Sequence, residues 1–407
     1  MLNKYNSFVI SVLIFTSISL ISMNCADEPS SLGLEFLPPG ETTGVRIFDS
    51  YFDTMQITST NLKKFVNTSA SVNLIVGQLG NYSSKGLIKF TNLNSNYDSA
   101  SVISAVLKLK YNNYYFPNTA SDSLAQISFD IFTVQTNLNY STITLDSVNS
   151  SSFGTTSKGS YTGSPTADSQ EVNINLDTTL VNNWLKYAAD TSHSVKNYGI
   201  VLSPNSASLV LKAFYSSRES ASTLKPTLYF IVNKFGDIDT VTHSTSETIF
   251  LANTTLSPVS GVFNLQAGVS YLQTMKFDLS KIPSTATIND VQLFLTLDSS
   301  RSIFTTKTSK RIAANYISDT AGLKTDLYTF YGDPPSSNPN QYVMRLVSRF
   351  QASPFQRWLQ GQTNYGLLFR ANNNAVNLDL FAFHDSNSPD PNKRPRVIIK
   401  YTPRITP

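Results

Sequence analysis

The chain has 407 residues, too many for one core of ordinary size, so roughly two or three domains are expected. Charged residues make up only 14% of it against an average of about 25%, and Ser, Thr, Asn, Tyr and Phe fill the difference, which suits strands with hydroxyl and amide surfaces and argues against long surface helices. The net charge of +4 is small and unclustered, which excludes a basic patch for nucleic acid.

Lys4 supplies a positive n-region, and Phe8 to Ile21 is an apolar and hydroxyl stretch too short to span a bilayer as a stable helix. Residues 1–24 therefore read as a secretory signal. Cys25, the sole cysteine, follows directly, so no intrachain disulfide can form. The run Ser22-Met23-Asn24-Cys25 resembles a loose bacterial lipoprotein box, with Ser22 and Asn24 where Leu or Val and Gly or Ala usually stand. Cleavage there would leave a diacylated Cys25, holding the protein in the outer membrane at the cell surface. The other reading is an ordinary secretory signal beside a chance cysteine. Residues 25–43 form a polar tether, in which Asp27 and Glu28 resemble the surface-export signal of Bacteroidota lipoproteins.

From about Val45 the pattern alternates with period two between turn residues. Ile103, Ala105, Leu107 and Leu109 share one strand face, and Val291, Leu293, Leu295 and Leu297 share another. Gln126 to Thr136 alternates likewise. Asn149 to Ser169 is too polar to order itself. A helix is expected after the cap Asp177-Thr178, where Leu180, Val181, Trp184, Leu185 and Ala188 recur at helical spacing. A second runs from Ser348 or Ser353 to Leu359, with Pro354 in its first turn. Both tryptophans lie on apolar helix stripes, so core anchoring is favoured over sugar stacking.

The landmarks come twice, in one order. Asn73 to Gly77, Lys89-Phe90, Trp184-Leu185, Asn197-Tyr198-Gly199, Phe214 and Lys225-Pro226 recur as Asn264 to Gly268, Lys276-Phe277, Trp358-Leu359, Asn364-Tyr365-Gly366, Phe381 and Arg394-Pro395. The offset falls from 191 residues at Gly77/Gly268 to 167 at Asn197/Asn364, so only loop lengths differ. The fold class expected is all-β: two tandem jelly-roll-like antiparallel β-sandwich domains, each with one short helix. The first spans 44–233, a linker 234–246 and the second 247–403.

These landmarks, with Ser217-Arg218-Glu219 in copy one and Asp385 near the same place in copy two, resemble the DNRLRE-type domain, also treated as a family-96 carbohydrate-binding module. The two matches cover nearly all of the mature chain. The resemblance implies jelly-roll sandwiches of the kind appended to secreted polysaccharide-degrading proteins. Copy two has Asp385 in place of Glu, and one basic residue that usually opens the Phe-Asp-Leu strand is missing.

No catalytic constellation emerges. His193, His243 and His384 are scattered, no Gly-x-Ser-x-Gly occurs, and Asp237 and Asp239 fall in the expected linker. The protein is therefore read as a non-enzyme with no cofactor. Calcium is the one ion its loops could take, through Asp385 with Asp390 in copy two and Glu219 in the equivalent loop of copy one, though turn capping is the favoured use of those carboxylates. For ligand binding the candidates are Tyr111, Tyr114, Tyr115, Tyr328 and Tyr331, since flat exposed rings suit sugar faces. Packing beneath loops or between domains competes with that role. The expected function is non-catalytic binding of extracellular polysaccharide or surface glycan. The alternative is a structural or adhesive lipoprotein acting on surface proteins. The membrane enters only through the N-terminal lipid.

Overall fold

The structure, a computed structural model, describes residues 44–403 apart from 258, 306–308 and 348–352. The expected signal, tether and Cys25 lie outside the described residues. First along the chain come β1 (Arg46–Asp49) and β2 (Ile57–Lys63). Then follow β3 (Asn73–Leu79), β4 (Tyr82–Lys89), β5 (Ser101–Phe116), helix α1 (Ala120–Leu124), β6 (Ile127–Thr133), β7 (Gly159–Gly163) and β8 (Glu171–Asn175). Helix α2 (Thr178–Ala189) leads to β9 (Ile200–Pro204), β10 (Leu211–Tyr215), β11 (Thr227–Lys234), β12 (Asp237–Ser244) and β13 (Glu247–Thr254). The second copy holds β14 (Val262–Gln266), β15 (Tyr271–Phe277), β16 (Thr287–Thr296), β17 (Ile312–Asp319), β18 (Lys324–Asp333) and β19 (Gln341–Arg345). Helix α3 (Pro354–Leu359) and strands β20 (Leu367–Ala371), β21 (Leu380–His384) and β22 (Arg396–Thr402) complete it.

These strands make two antiparallel 11-stranded sheets. Each curls on itself into a sandwich-like domain around its own core. One core gathers Leu74, Leu107, Phe129, Trp184 and Phe230, and the other Phe277, Leu293, Phe355, Trp358 and Ile399. The first sheet runs β12-β11-β5-β10-β3-β4-β9-β6-β7, with β8 on β5 and β13 on β4. The second runs β1-β22-β16-β19-β18-β17-β20-β15-β14-β21, with β2 on β15. The all-β architecture read from the alternation and the two domains read from the repeat are those observed.

The repeated landmarks meet in space, and the reason is local chemistry. The Nδ2 of Asn197 donates to the carbonyl of Phe90 (2.7 Å), and that of Asn364 to the carbonyl of Phe277 (2.9 Å). Each of those Phe rings faces the helix tryptophan, with 6.3 Å between centroids in both copies. Both tryptophans are buried, at 1% and 7% exposure, so they are core anchors. Gly199 and Gly366 sit at φ +101° and +90°, where a Cβ would come within 2.5 Å of the Ile88 carbonyl and 2.3 Å of the Met275 carbonyl. The helices start where their caps predict. Asp177 accepts the Thr179 N–H, Ser353 accepts the Phe355 N–H, and Pro354 occupies the first turn.

Three local expectations differ. Domain one carries an additional helix, α1, closed by a Thr119/Asp122 capping box. The polar stretch Asn149 to Ser169 is partly a strand: β7 pairs with β6, Ser128 and Thr162 share a 2.7 Å hydrogen bond, and Tyr161 packs on Phe129. Two aromatics, Phe153 against Val134 and Tyr161 against Phe129, and a partner edge suffice to order it. The segment 234–246, expected as a linker, is largely β12, bonded to β11 from Thr227–Ser244 to Lys234–Asp237 around a tight Phe235-Gly236 turn.

The partition of strands is crossed. In copy one β12 borders β11 and β13 borders β4, while in copy two β1 borders β22 and β2 borders β15. The register is equivalent: Thr58 lies opposite Lys276 where Glu247 lies opposite Lys89. The strands that precede copy one therefore complete domain two, and those that precede copy two complete domain one. The two crossovers touch, because the Lys63 ammonium bonds to Asn253 Oδ1 (3.2 Å) and the Thr254 carbonyl (3.1 Å). Apolar contact reinforces the junction. Val269 and Leu378 of the second copy lie in the first core, and the Tyr114 hydroxyl accepts the Leu378 N–H at 3.0 Å.

Lys212 is fully buried in domain one, its ammonium donating to the Ser123 and Pro165 carbonyls (2.9 and 2.8 Å) and facing the Tyr111 ring. Burial brings its pKa down from 10.5 to about 8. Between those values the unfolded chain holds a proton that the fold has released, so stability rises with pH. From pH 10 upward Tyr82, pushed up by burial to about 12, works in the opposite sense. Urea unfolding should therefore show stability climbing from pH 8 to 10 by on the order of 1–2 kcal/mol. Most of the slope should be lost in Lys212→Met, the rest belonging to Lys85, whose pKa burial also lowers, and an unchanged slope there would refute the assignment.

Candidate functional site

The five expected ring residues do not form one platform. Tyr111 and Tyr114 are buried in domain one, Tyr115 is half-buried, and Tyr328 packs edge-on against Phe330. Tyr331 alone is well exposed, with the Arg311 guanidinium 5.3 Å from its ring centre. A bulge explains the inward turn of Tyr114. Phe214 pairs with Tyr111 but Ala213 with Tyr114, so β5 carries extra residues there, with Asn113 at φ +41°. Simple alternation from Leu109 would have turned Tyr114 outward. The bulge resets the phase, and Asn112 donates to Asn73 Oδ1 (2.6 Å) beneath it.

The carboxylates expected as calcium ligands are spent on turns. Glu219 Oε1 accepts the N–H of Ser220 and Ala221 (2.8 and 3.2 Å), and Asp385 Oδ1 accepts the N–H of Asn387 (2.6 Å). Backbone donors hold the Glu219 carboxyl below the usual range. Among the described residues no three His, Cys, Asp or Glu side chains gather as a metal centre. Asp237 and Asp239 lie on the edge strand β12, where Asp239 accepts the Tyr97 hydroxyl.

The groove with the chemistry of a binding surface lies elsewhere, in domain two. It is an open cleft of about 740 Å³ between the β1–β2 turn, the outer face of β16 and the loop before β22. Tyr51 and Phe52 project into it at 49% and 75% exposure, their rings edge to face at 5.0 Å. Asn392, Gln341, Thr296 and Arg394 supply amide, hydroxyl and guanidinium groups around them. The groove thus pairs an apolar edge with convergent polar side chains, the combination that binds a sugar ring by stacking and rim hydrogen bonds.

Side-chain hydrogen bonds shape its wall. Arg396 forms a two-pronged ion pair with Asp49, the Nε bond measuring 2.9 Å and the second prong running from Nη2 to Oδ2. Arg396 beside it keeps the Asp49 carboxyl below the usual range. The Asp49 carboxylate also accepts the Tyr51 N–H (3.1 Å), and Asp53 accepts the Asp49 N–H (2.8 Å), folding the turn that aims the rings. The Tyr51 hydroxyl donates to Asn392 Oδ1 (2.9 Å), and the Arg396 guanidinium lies 5.8 Å from the Tyr51 ring centre. At the equivalent place in domain one Thr245-Ser246 replaces the long β1–β2 turn, and Thr245 is buried.

Sequence reasoning missed Tyr51 and Phe52. The signal was Asp49-Ser50-Tyr51-Phe52-Asp53, two adjacent rings flanked by turn-forming acids, which one apolar face cannot bury together. Fold and groove together define a two-domain antiparallel β-sandwich protein with a shallow aromatic cleft at one end. No family model matches the chain, and no curated protein is significantly similar to it.

Proposed function

We propose that this is a non-catalytic surface protein that binds extracellular polysaccharide or surface glycan, anchored in the outer membrane through a lipid on Cys25. The observation that carries the binding part is the Tyr51–Phe52 pair, exposed and backed by the Asp49–Arg396 ion pair at the mouth of an open, polar-rimmed groove. Exposed rings cost solvation in a fold that buries most of its aromatics, and sugar stacking recovers that cost. Anchoring is motivated by the position of Cys25 behind an apolar signal.

Each stacked ring in a shallow wet site contributes on the order of 1 kcal/mol, a several-fold change in affinity. The double change Tyr51→Ala/Phe52→Ala should therefore abolish most retention in affinity electrophoresis against alginate-like, pectic and glucan polymers. Folding should be intact by circular dichroism. A wild type that none of these polymers retards, or a folded double variant retained as before, would transfer the protein to the adhesive class, acting on surface proteins.

A further inference from the structure

We infer that the β1–β2 segment is an exchangeable donor, and that its dock along β22 and β15 receives the same segment of a second copy of this chain. The dock is defined by what fills it. β1 pairs with β22 from Arg46–Tyr401 to Asp49–Ile398, and β2 pairs with β15 from Tyr271–Lys63 to Phe277–Ile57. Nothing in those contacts depends on the donor belonging to the same chain.

The two equivalent docks differ in how their strands are delivered. On domain one, β12 is tied to its neighbour β11 by the tight Phe235-Gly236 turn, so that hairpin closes only within the chain. On domain two, the donor comes from the opposite end of the sequence and is joined to the other domain through residues 64–72. Apart from the Asp49–Arg396 ion pair, little buried surface holds it. In β1 only Phe48 and Asp49 are buried, β2 has no fully buried residue, and Ile47 is 63% exposed. A segment with so little buried apolar surface opens well before the cores do.

Docking in cis and in trans makes the same strand pairings, so concentration decides between them. A short connection gives the cis donor an effective concentration on the order of millimolar. Copies at micromolar concentration therefore stay closed, while copies crowded to that level pass donors to each other. The smallest closed product is a reciprocal pair, and one-way donation builds open chains.

Single cysteines placed at a cross-strand pair test this in the whole chain carrying Cys25→Ser. Ile47 lies opposite Lys400. The double variant Ile47→Cys/Lys400→Cys should lock in cis on mild oxidation, showing that both thiols fit and both chains fold. Ile47→Cys and Lys400→Cys chains, mixed and held at about 1 mM before oxidation, should form an intermolecular disulfide. Its yield should be at least about tenfold above that of an Ile47→Cys and Ile238→Cys mixture, whose thiols lie on different sheets. Native mass spectrometry of the unsubstituted chain at the same concentration should show a dimer that is absent at micromolar dilution. Cross-linking at the control rate overturns the inference, and so does a chain that stays monomeric at both concentrations.

Discussion

Gly366→Ala is expected to cost about 3–5 kcal/mol in urea unfolding, the range of a disrupted core contact. Two penalties coincide at this position. At φ +90° an L side chain is strained, and the added Cβ would stand 2.3 Å from the Met275 carbonyl oxygen and 2.9 Å from its carbon. The obstacle is backbone, and Met275 is fixed on both sides, by Leu367 of β20 and Ser59 of β2. It has nowhere to move without opening the ladder. Gly361 separates the two causes, because it has φ +93° with nothing within 4 Å of a Cβ. Gly361→Ala should therefore cost only the conformational part, about 1 kcal/mol. Gly199→Ala should match Gly366→Ala, since its Cβ would lie 2.5 Å from the Ile88 carbonyl. Equal losses at Gly361 and Gly366 would show that close approach of strands is not what the Asn-Tyr-Gly motif secures.

Those motifs were legible because each performs its work within a few residues or at a place that recurs. Asp177 caps the helix that begins beside it, Trp184 lies on the stripe its neighbours define, and Asn197 and Asn364 repeat one hydrogen bond. The faces of β5 were legible between Ala105 and Leu109, where alternation is unbroken. They ceased to be legible at its two ends. Val232 pairs with Val102 after Ile231 pairs with Ser104, so Ile103 is skipped and turns outward, and the bulge near Asn113 turns Tyr114 inward. Period-two reasoning carries no information about such insertions. The groove was hidden for a further reason. Tyr51 belongs to a segment whose partner strand, β22, stands at the far end of the chain, and alternation names a face without naming a partner.

The crossed strands carry the largest consequence for the whole molecule. Cleavage at the β11–β12 turn should leave one particle in solution that separates into two fragments only in denaturant. Phe235 at the turn is 88% exposed, so a protease site inserted between Phe235 and Gly236 would be accessible. The N-terminal fragment would then still lend β1 and β2 to domain two, and the C-terminal fragment would still lend β12 and β13 to domain one. Release requires unzipping β12 from β11 and β13 from β4, and also β1 from β22 and β2 from β15, together with the contact between Tyr114 and Leu378. A simple linker between independent domains would instead release two particles on dilution. A second site inserted in the crossover 255–261 gives the comparison. Cleavage there leaves domain one complete in a single fragment, with the β1–β2 arm and the contacts of Val269 and Leu378 still reaching across. Size-exclusion chromatography in rising urea should separate that pair at a lower concentration than the turn-cleaved pair. If the turn-cleaved protein falls apart in buffer, or if both pairs separate together, reciprocal strand exchange is not what holds the domains.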